Sequence, residues 1–279
     1  MILCYGSLGP DIVHRVLQLP GPGEDLPSQS WRMSYGGGAA HPAVALATWG
    51  RDAAVVGHEV GDDPLGRWLL ADLQARGVDT ARVVVRPCLA TPHCVVLVTP
   101  DGERTIVSSG YAGLSWQEVA SWGDVEALIV DGYSGSAGVE QATRARRRAI
   151  PVVGVDVPAA VGADVLIWSR AEHPDEGRAR ELATDRTVVL TAGPHPITVL
   201  RGEERWTVQP PYVEARDVTG AGHVFAAMWS LGLLSGWSAE RTAQMATSAA
   251  SLLVQAGRTA GIPPLTAVQR AAEDLADTR

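Results

Sequence analysis

Lysine is absent from this chain of 279 residues, because all 23 basic side chains are arginine. The absence excludes an enzyme that forms a Schiff base on lysine, and it excludes a phosphate-binding loop of the Walker type. Basic residues are outnumbered by 31 acidic ones, which gives a net charge of −8, and no block of basic residues interrupts the chain. We therefore do not expect a nucleic acid as the main partner.

The sequence also lacks long apolar runs and paired cysteine motifs. The longest apolar run, 224–237, is short and contains serine and glycine, so we expect no membrane span. Cys4, Cys88 and Cys94 show neither CxxC spacing nor a disulfide framework. The chain opens without a recognisable signal segment, and we expect a soluble protein of the cytoplasm.

The pattern along the chain predicts an α/β fold. Apolar segments such as "ALIVDG", "PVVGVD" and "TVVLTAG" alternate with the helix-like segments "QATRARRRA" and "RARELA". This alternation predicts a mainly parallel sheet with right-handed crossovers, in which ligands bind at the carboxyl ends of the strands. Residues 12–35 and 90–109 do not follow it, because they indicate antiparallel strands. We assign them to one discontinuous β lid, and residues 1–11, 36–89 and 110–279 to the main domain.

Two helices have recognisable starts. In "YGGGAAHPAVALATWG" a glycine loop precedes an alanine-rich helix, and we predict His41 as the N-cap and Pro42 as the first helical residue. The second helix is predicted to begin at Pro64 with Asp63 as its cap. Capping is favoured for Asp63 over a metal pair with Asp62 because the proline follows directly.

A second glycine turn, "DVTGAGH", precedes the apolar run that begins at Val224. Glycines at 220 and 222 let the backbone turn tightly and expose its N–H groups. The helix that follows adds the positive end of its dipole. The segment therefore predicts an anion cradle made by Gly220, Ala221 and Gly222, followed by a histidine, His223.

These motifs together resemble the ribokinase-like (PfkB) carbohydrate and nucleoside kinases over residues 2–264. Five segments match in order: "GSLGPD", "YGGGAAHPAVALATWG", "VGHEVGDDPLGRWLLADLQARGVDT", "DGERTI" and "DVTGAGH". The last falls where the family carries D-T-x-G-A-G-D. The resemblance implies a three-layer α/β sandwich with a central, mainly parallel sheet and a small β-sheet lid.

The resemblance also implies a reaction, transfer of the γ-phosphoryl group of ATP to a hydroxyl of a sugar or nucleoside with Mg²⁺ as cofactor. The cradle would hold the phosphoryl group, and His223 would stand where the family has its catalytic aspartate. The remaining residues fall into three groups by implied role: Asp11, Gly36, Gly37 and His41 for the acceptor; Thr191, Gly193, Asp217 and Thr219 for ATP; Glu172 for Mg²⁺ through water. Asp217 would steady the loop or a nearby cation.

Four positions depart from the family pattern. Histidine replaces aspartate at 223 and asparagine at 41, Ser169 replaces the asparagine of Asn-x-x-Glu, and Pro196 stands where a second glycine is usual. His223 can be a working base, a residue that binds phosphate or substrate, or a residue without function. A general base contributes ~10²–10⁴-fold in rate, so its loss would slow the enzyme without stopping it.

Two functions follow from these alternatives. One is a kinase in which His223 is the base. The other is a catalytically impaired protein that binds a sugar, nucleoside or nucleotide as a sensor or scaffold. Exposed edge strands in the lid also suggest a homodimer formed through the lid.

Overall fold

The computed structural model describes residues 1–257 and 260–276. Within these residues, nine strands form a large sheet, four form a smaller sheet and two form a short separate pair. In chain order the strands of the large sheet are β1 (Ile2–Gly6), β4 (Ala53–Gly57), β6 (Val78–Asp79), β10 (Ala127–Asp131), β11 (Val152–Val155), β12 (Val165–Ser169), β13 (Thr187–Thr191), β14 (Ile197–Arg201) and β15 (Glu204–Val208). The sheet has the spatial order β15-β14-β13-β12-β11-β10-β1-β4-β6 and is parallel except at β14 and β15. The predicted α/β fold with a mainly parallel sheet is confirmed.

Helices cover both faces of the large sheet. They are α1 (Ala40–Thr48), α2 (Pro64–Ala75), α3 (Gly135–Arg146), α4 (Glu176–Leu182), α5 (Ala221–Leu234), α6 (Ala239–Ala256) and α7 (Leu265–Ala276), with a 3₁₀ turn at Gly132–Ser134. Alternate residues of β1 enter different cores, since Ile2 and Cys4 pack with α1, α2, α5, α6 and α7. Leu3 and Tyr5 pack with α3 and α4. The molecule therefore has three layers, as the period of two along a strand requires.

The smaller sheet combines two distant segments of the chain. Its strands are β2 (Gly9–Arg15), β3 (Ser30–Gly36), β8 (His93–Val98) and β9 (Arg104–Ser109), in the order β3-β2-β8-β9. β2 pairs antiparallel with β3 and parallel with β8. β2 begins at Gly9, so Asp11 lies within this sheet. The short pair is β5 (Val60–Gly61) with β7 (Val85–Arg86).

The two predicted helix starts have different outcomes. Asp63 caps α2 as expected, because its Oδ1 accepts the N–H of Gly66 at 2.8 Å. The prediction of His41 as an N-cap is wrong, since α1 begins at Ala40 with Ala39 as its cap. Pro42 is tolerated as the third helical residue because N–H groups of the first turn have no partner within the helix. His41 is thereby the second residue of the helix.

None of the helices that the described residues form combines the length and the apolar character that a bilayer crossing demands.

Candidate active site

The start of α5 has the geometry that the glycine turn predicts. Gly220 is the N-cap and has a φ of +82°, a left-handed conformation that side chains rarely adopt. The helix presents its first-turn amides and its positive dipole end beside this residue. One amide of the predicted cradle is already used, because the N–H of Ala221 donates to the carbonyl of Val218 at 3.3 Å. Gly220 and Gly222 are therefore the stronger candidates for anion binding.

Three consecutive glycines before α1 make room for neighbouring polar groups. A Cβ added to Gly36 would lie 2.3 Å from Oδ1 of Asp11. A Cβ on Gly37, which has a φ of +94°, would lie 2.2 Å from the carbonyl oxygen of Ser7. A Cβ on Gly38 would lie 2.0 Å from the carboxyl carbon of Asp131. Side chains at 36 and 38 would displace the two buried carboxylates, and one at 37 would clash with the backbone of Ser7.

The two glycine-flanked helix starts meet through their histidines. The ring centroids of His41 and His223 are 5.8 Å apart, and His41 also contacts Tyr35 edge to face at 5.4 Å. A Cβ on Gly220 would lie 2.9 Å from Nδ1 of His41, so the turn packs directly against that ring. His41 is buried, whereas the His223 side chain is 21% exposed. The structure therefore brings the predicted acceptor residue beside the predicted cradle.

Asp131 is a candidate site residue that the sequence interpretation missed. It ends the central strand β10, its side chain is 3% exposed, and its Oδ1 lies 3.6 Å from Nε2 of His223. Ser7 donates to its Oδ2 from both the hydroxyl and the backbone N–H, at 3.0 and 3.3 Å. A carboxylate at the carboxyl end of a buried parallel strand was the signal that could have found it.

Asp11 and Asp131 both influence a nearby phenol. The pKa of Tyr111 is raised by burial, and the Cys94 thiol, Asp11 and Asp131 act in the same direction. Cys94 lies opposite Asp11 in the small sheet. Two buried carboxylates and a neutral phenol therefore lie near one another, and such groups can bind hydroxyls by hydrogen bonds.

Thr191 and Gly193, which are predicted to border the nucleotide, lie at and just after the carboxyl end of β13. Thr191 ends β13, and its hydroxyl donates to the carbonyl of Trp168 at 3.4 Å. Gly193 follows in a turn with a φ of +58°, and a Cβ there would meet nothing within 4 Å. Pro196 lies just before β14. The open space around Gly193 leaves room for a ligand to approach the backbone.

Asp217 is tied into the protein through both carboxylate oxygens. Its Oδ1 accepts the N–H of Thr219 at 2.9 Å, and its Oδ2 lies 3.2 Å from the guanidinium of Arg32. Arg32 belongs to β3 of the small sheet. Asp217 is buried, so the contact links that sheet to the turn that leads into α5.

Glu172 belongs to a group of three side chains that could hold a cation. One ligand atom each from Asp156, Glu172 and His173 lies within 4.8 Å of the others. The carboxylates fit Mg²⁺, which prefers oxygen, whereas the imidazole is a donor more typical of transition metals. Ser169 connects the two carboxylate residues, since its N–H donates to Oδ1 of Asp156 at 2.7 Å and its carbonyl accepts the N–H of Glu172 at 3.1 Å. His173 stacks on Trp168 at a centroid distance of 4.4 Å.

Comparison with known proteins gives a consistent result. The model of the pfkB family carbohydrate kinases matches residues 1–161 and 162–265. A ribokinase of Haemophilus influenzae is 26% identical over 287 residues, which cover 92% of this chain and 94% of that protein.

Two solved structures illustrate the shared fold. An Arabidopsis thaliana ribokinase complexed with ribose and ATP has a TM-score of 0.81 at 22% identity, with 98% of each chain covered. A Burkholderia thailandensis nucleoside kinase in complex with inosine also has a TM-score of 0.81, at 17% identity, covering 99% of this chain and 98% of that one. The ribokinase-like sandwich is confirmed, and the chain belongs to the pfkB family of carbohydrate kinases.

Proposed function

We propose that this protein transfers the γ-phosphoryl group of ATP to a hydroxyl of a sugar or a nucleoside, with His223 as the base. The observation that carries the proposal is the contact between the two glycine-flanked helix starts. It places His41, an acceptor-side residue, 5.8 Å from His223, which follows the cradle directly. The structurally similar kinases with ribose and ATP or with inosine support this pair of substrate classes.

On the acceptor side, Asp11 and His41 would bind hydroxyls, and Gly36 and Gly37 would let the acceptor approach the backbone. Position 36 requires a residue without a side chain, since a Cβ on Gly36 would clash with Asp11. The small sheet, which carries Asp11, would act as the lid. Which sugar or nucleoside binds would depend on the lid side chains that face the cleft.

On the donor side, Thr191 and Gly193 would border the nucleotide, as would Thr219, which lies in the turn that Asp217 stabilises. Amides of Gly220 and Gly222 would receive the transferred group, and Ala221 would contribute only after releasing Val218. Phosphoryl transfer has a loose transition state, so positioning and charge stabilisation provide most of the rate. Each well-placed donor is worth ~10²–10³ in turnover.

Mg²⁺ bound with ATP would neutralise the charge on the phosphates. Glu172 would hold it through water, and the carboxylate of Asp156 lies close enough to assist. His223 would receive the proton of the acceptor hydroxyl as the new oxygen–phosphorus bond forms.

The decisive measurement is transfer from γ-labelled ATP to a panel of sugars and nucleosides that includes ribose and inosine. We expect transfer by the native protein, and we expect His223→Ala to lower kcat by at least ~10-fold, since a general base contributes ~10²–10⁴-fold. The affinity for ATP should change little. A native protein that binds ligands without transferring phosphoryl, and that gains transfer on His223→Asp, would instead be a sensor or scaffold.

A pair of glycine variants tests the cradle separately. Gly220→Ala and Gly236→Ala impose the same left-handed strain, because the φ values are +82° and +65°. Only Gly220 packs against His41, whereas a Cβ on Gly236 meets nothing within 4 Å. The strain should cost each variant about 1 kcal/mol of stability, Gly220→Ala should lose more because its Cβ meets His41, and only Gly220→Ala should lose transfer. Equal turnover in the two variants would contradict the cradle.

A further inference from the structure

The backbone around Asp131 reserves space for its carboxylate. A Cβ on Gly6 would lie 2.6 Å from Cβ of Asp131, and a Cβ on Gly38 would lie 2.0 Å from its Cγ. Ser7 connects the glycine loop before α1 to this carboxylate. Its hydroxyl accepts the N–H of Gly38 at 2.9 Å and donates to Oδ2 of Asp131. Asp131 therefore has a fixed orientation.

The two oxygens of Asp131 have different neighbours. Oδ2 accepts both hydrogen bonds from Ser7. Oδ1 accepts the backbone N–H of Tyr133 at 3.4 Å and lies 3.6 Å from Nε2 of His223. One oxygen is thus anchored in the protein, and the other is directed towards the imidazole.

His223 presents its two edges to different surroundings. Nε2 is buried and has no hydrogen-bond partner, although the side chain as a whole is 21% exposed. The exposed surface therefore belongs to other atoms of the side chain. At 3.6 Å the contact with Oδ1 is longer than a hydrogen bond, but the attraction between a carboxylate and an N–H is strong in a buried site.

We propose that Asp131 is a positioning residue that holds the imidazole proton on Nε2 of His223 and leaves the Nδ1 lone pair for the acceptor hydroxyl. In neutral histidine, the partner of one ring nitrogen determines which nitrogen carries the proton. The inference rests on the proposed function.

The step balances as follows. The acceptor O–H bond breaks and its proton passes to Nδ1, while the oxygen forms a bond to the γ-phosphorus. The bond between that phosphorus and the bridging oxygen breaks, and ADP leaves with the electron pair. The imidazolium that results lies beside the carboxylate of Asp131, which stabilises its charge. A carboxylate behind a histidine base has the same role in other catalytic groups.

The first test is the tautomer of His223 in solution. Long-range ¹H–¹⁵N spectra of the full-length protein at alkaline pH, assigned by comparison with His223→Ala, should show the proton on Nε2. Asp131→Asn should lose this preference, because an amide can donate to Nε2 as well as accept from it. A proton on Nδ1 in the wild-type protein would overturn the proposal even if the variant does not fold.

The second test is a double-mutant cycle on kcat. Asp131→Asn should lower kcat by ~10²–10⁴-fold with little change in the KM for ATP, the size of effect expected when a base loses its orientation. In a His223→Ala background the same substitution should cost almost nothing, because its effect passes through the imidazole. Losses that multiply independently would assign Asp131 a separate role and overturn the inference.

Asp164→Asn is the matched control. Asp164 also accepts a backbone N–H at a strand end, that of Val152 at 2.8 Å. It lies just before β12, at the amino ends of the strands, whereas Asp131 lies at the carboxyl end of β10. This variant should keep both kcat and the tautomer of His223. A wild-type protein that transfers no phosphoryl group contradicts the proposed function, whereas a proton on Nδ1 contradicts only the role of Asp131.

Discussion

At the scale of single residues, His58 shows how burial determines a protonation state. Its Nε2 accepts the N–H of Leu8 at 3.0 Å, and its Nδ1 lies 2.8 Å from the carbonyl of Glu59. The ring is fully buried, and burial lowers its pKa below the ordinary value of 6.5. The neutral form, with the proton on Nδ1, is the form that satisfies both contacts.

This state makes the stability of the protein depend on pH. Below pH 6.5 the unfolded chain takes up a proton at His58 that the folded chain resists, so the free energy of unfolding falls as the pH decreases. The loss amounts to at most about 1.4 kcal/mol for each pH unit. In His58→Gln this contribution is absent. The free energy of unfolding, measured by urea denaturation at several pH values, should therefore depend less on pH than in the wild-type protein. Parallel profiles for the two proteins would contradict the assignment.

The residue scale also shows where sequence interpretation fails. His41 and Pro42 carry a helix-start pattern that predicts Pro42 as the first helical residue, yet the helix begins two residues earlier, at Ala40. The pattern is ambiguous because a proline fits any position of the first turn. Asp131 could be recognised as a strand end, but its pairing with His223 joins positions far apart in the chain and leaves no local signal.

At the scale of elements, Arg32 joins β3 of the small sheet to the turn before α5. Arg32→Ala would leave the buried carboxylate of Asp217 with the N–H of Thr219 but without its guanidinium. Because Arg32 is about one quarter exposed, we expect a loss of about 1–2 kcal/mol rather than the cost of a fully buried pair. Hydrogen exchange at the Thr219 amide should become faster, and turnover should fall.

Arg15→Ala provides the control for this prediction, because Arg15 lies on the neighbouring strand β2 and is exposed. It should leave both the exchange rate and turnover unchanged. If Arg32→Ala behaves like Arg15→Ala, the small sheet does not act on the turn through this ion pair.

Elements with a clear pattern of apolar residues could be predicted from the sequence, and those without one could not. β10 to β13 are continuous buried runs, and the βα alternation identified them. The hairpin of β14 and β15 was missed because β15 is mostly exposed and polar, as befits an edge strand. The small sheet was predicted from two separate antiparallel signals, although the parallel contact of β2 with β8 has no local signature.

At the scale of the whole molecule, the edges of the small sheet favour association. The outer strands β3 and β9 expose Trp31, Ile106 and Val107, with exposed fractions of 66%, 45% and 56%. Ile106 and Val107 are adjacent, so β9 exposes apolar groups on both of its faces. An uncovered apolar edge strand tends to pair with another chain, and we propose a homodimer through the lid.

Light scattering at micromolar concentration tests this proposal. The native protein should show twice the 29.4 kDa of one chain. Val107→Glu should give the monomer mass, because a charge on the outer strand opposes pairing. Tyr212→Glu is the control, since Tyr212 is 96% exposed but lies outside the small sheet. A native monomer, or a dimer unaffected by Val107→Glu, would contradict association through this edge.

The parallel contact between β2 and β8 has a kinetic consequence. Asp11 lies opposite Cys94, so about 80 residues must form a closed loop before these strands can meet. Loop closure costs entropy before any contact repays it, and long-range pairing slows folding. During refolding, the central strands should gain amide protection first and the small sheet last. A newly synthesised chain would then have a folded central sheet before the small sheet, which carries the proposed acceptor residue Asp11, had formed.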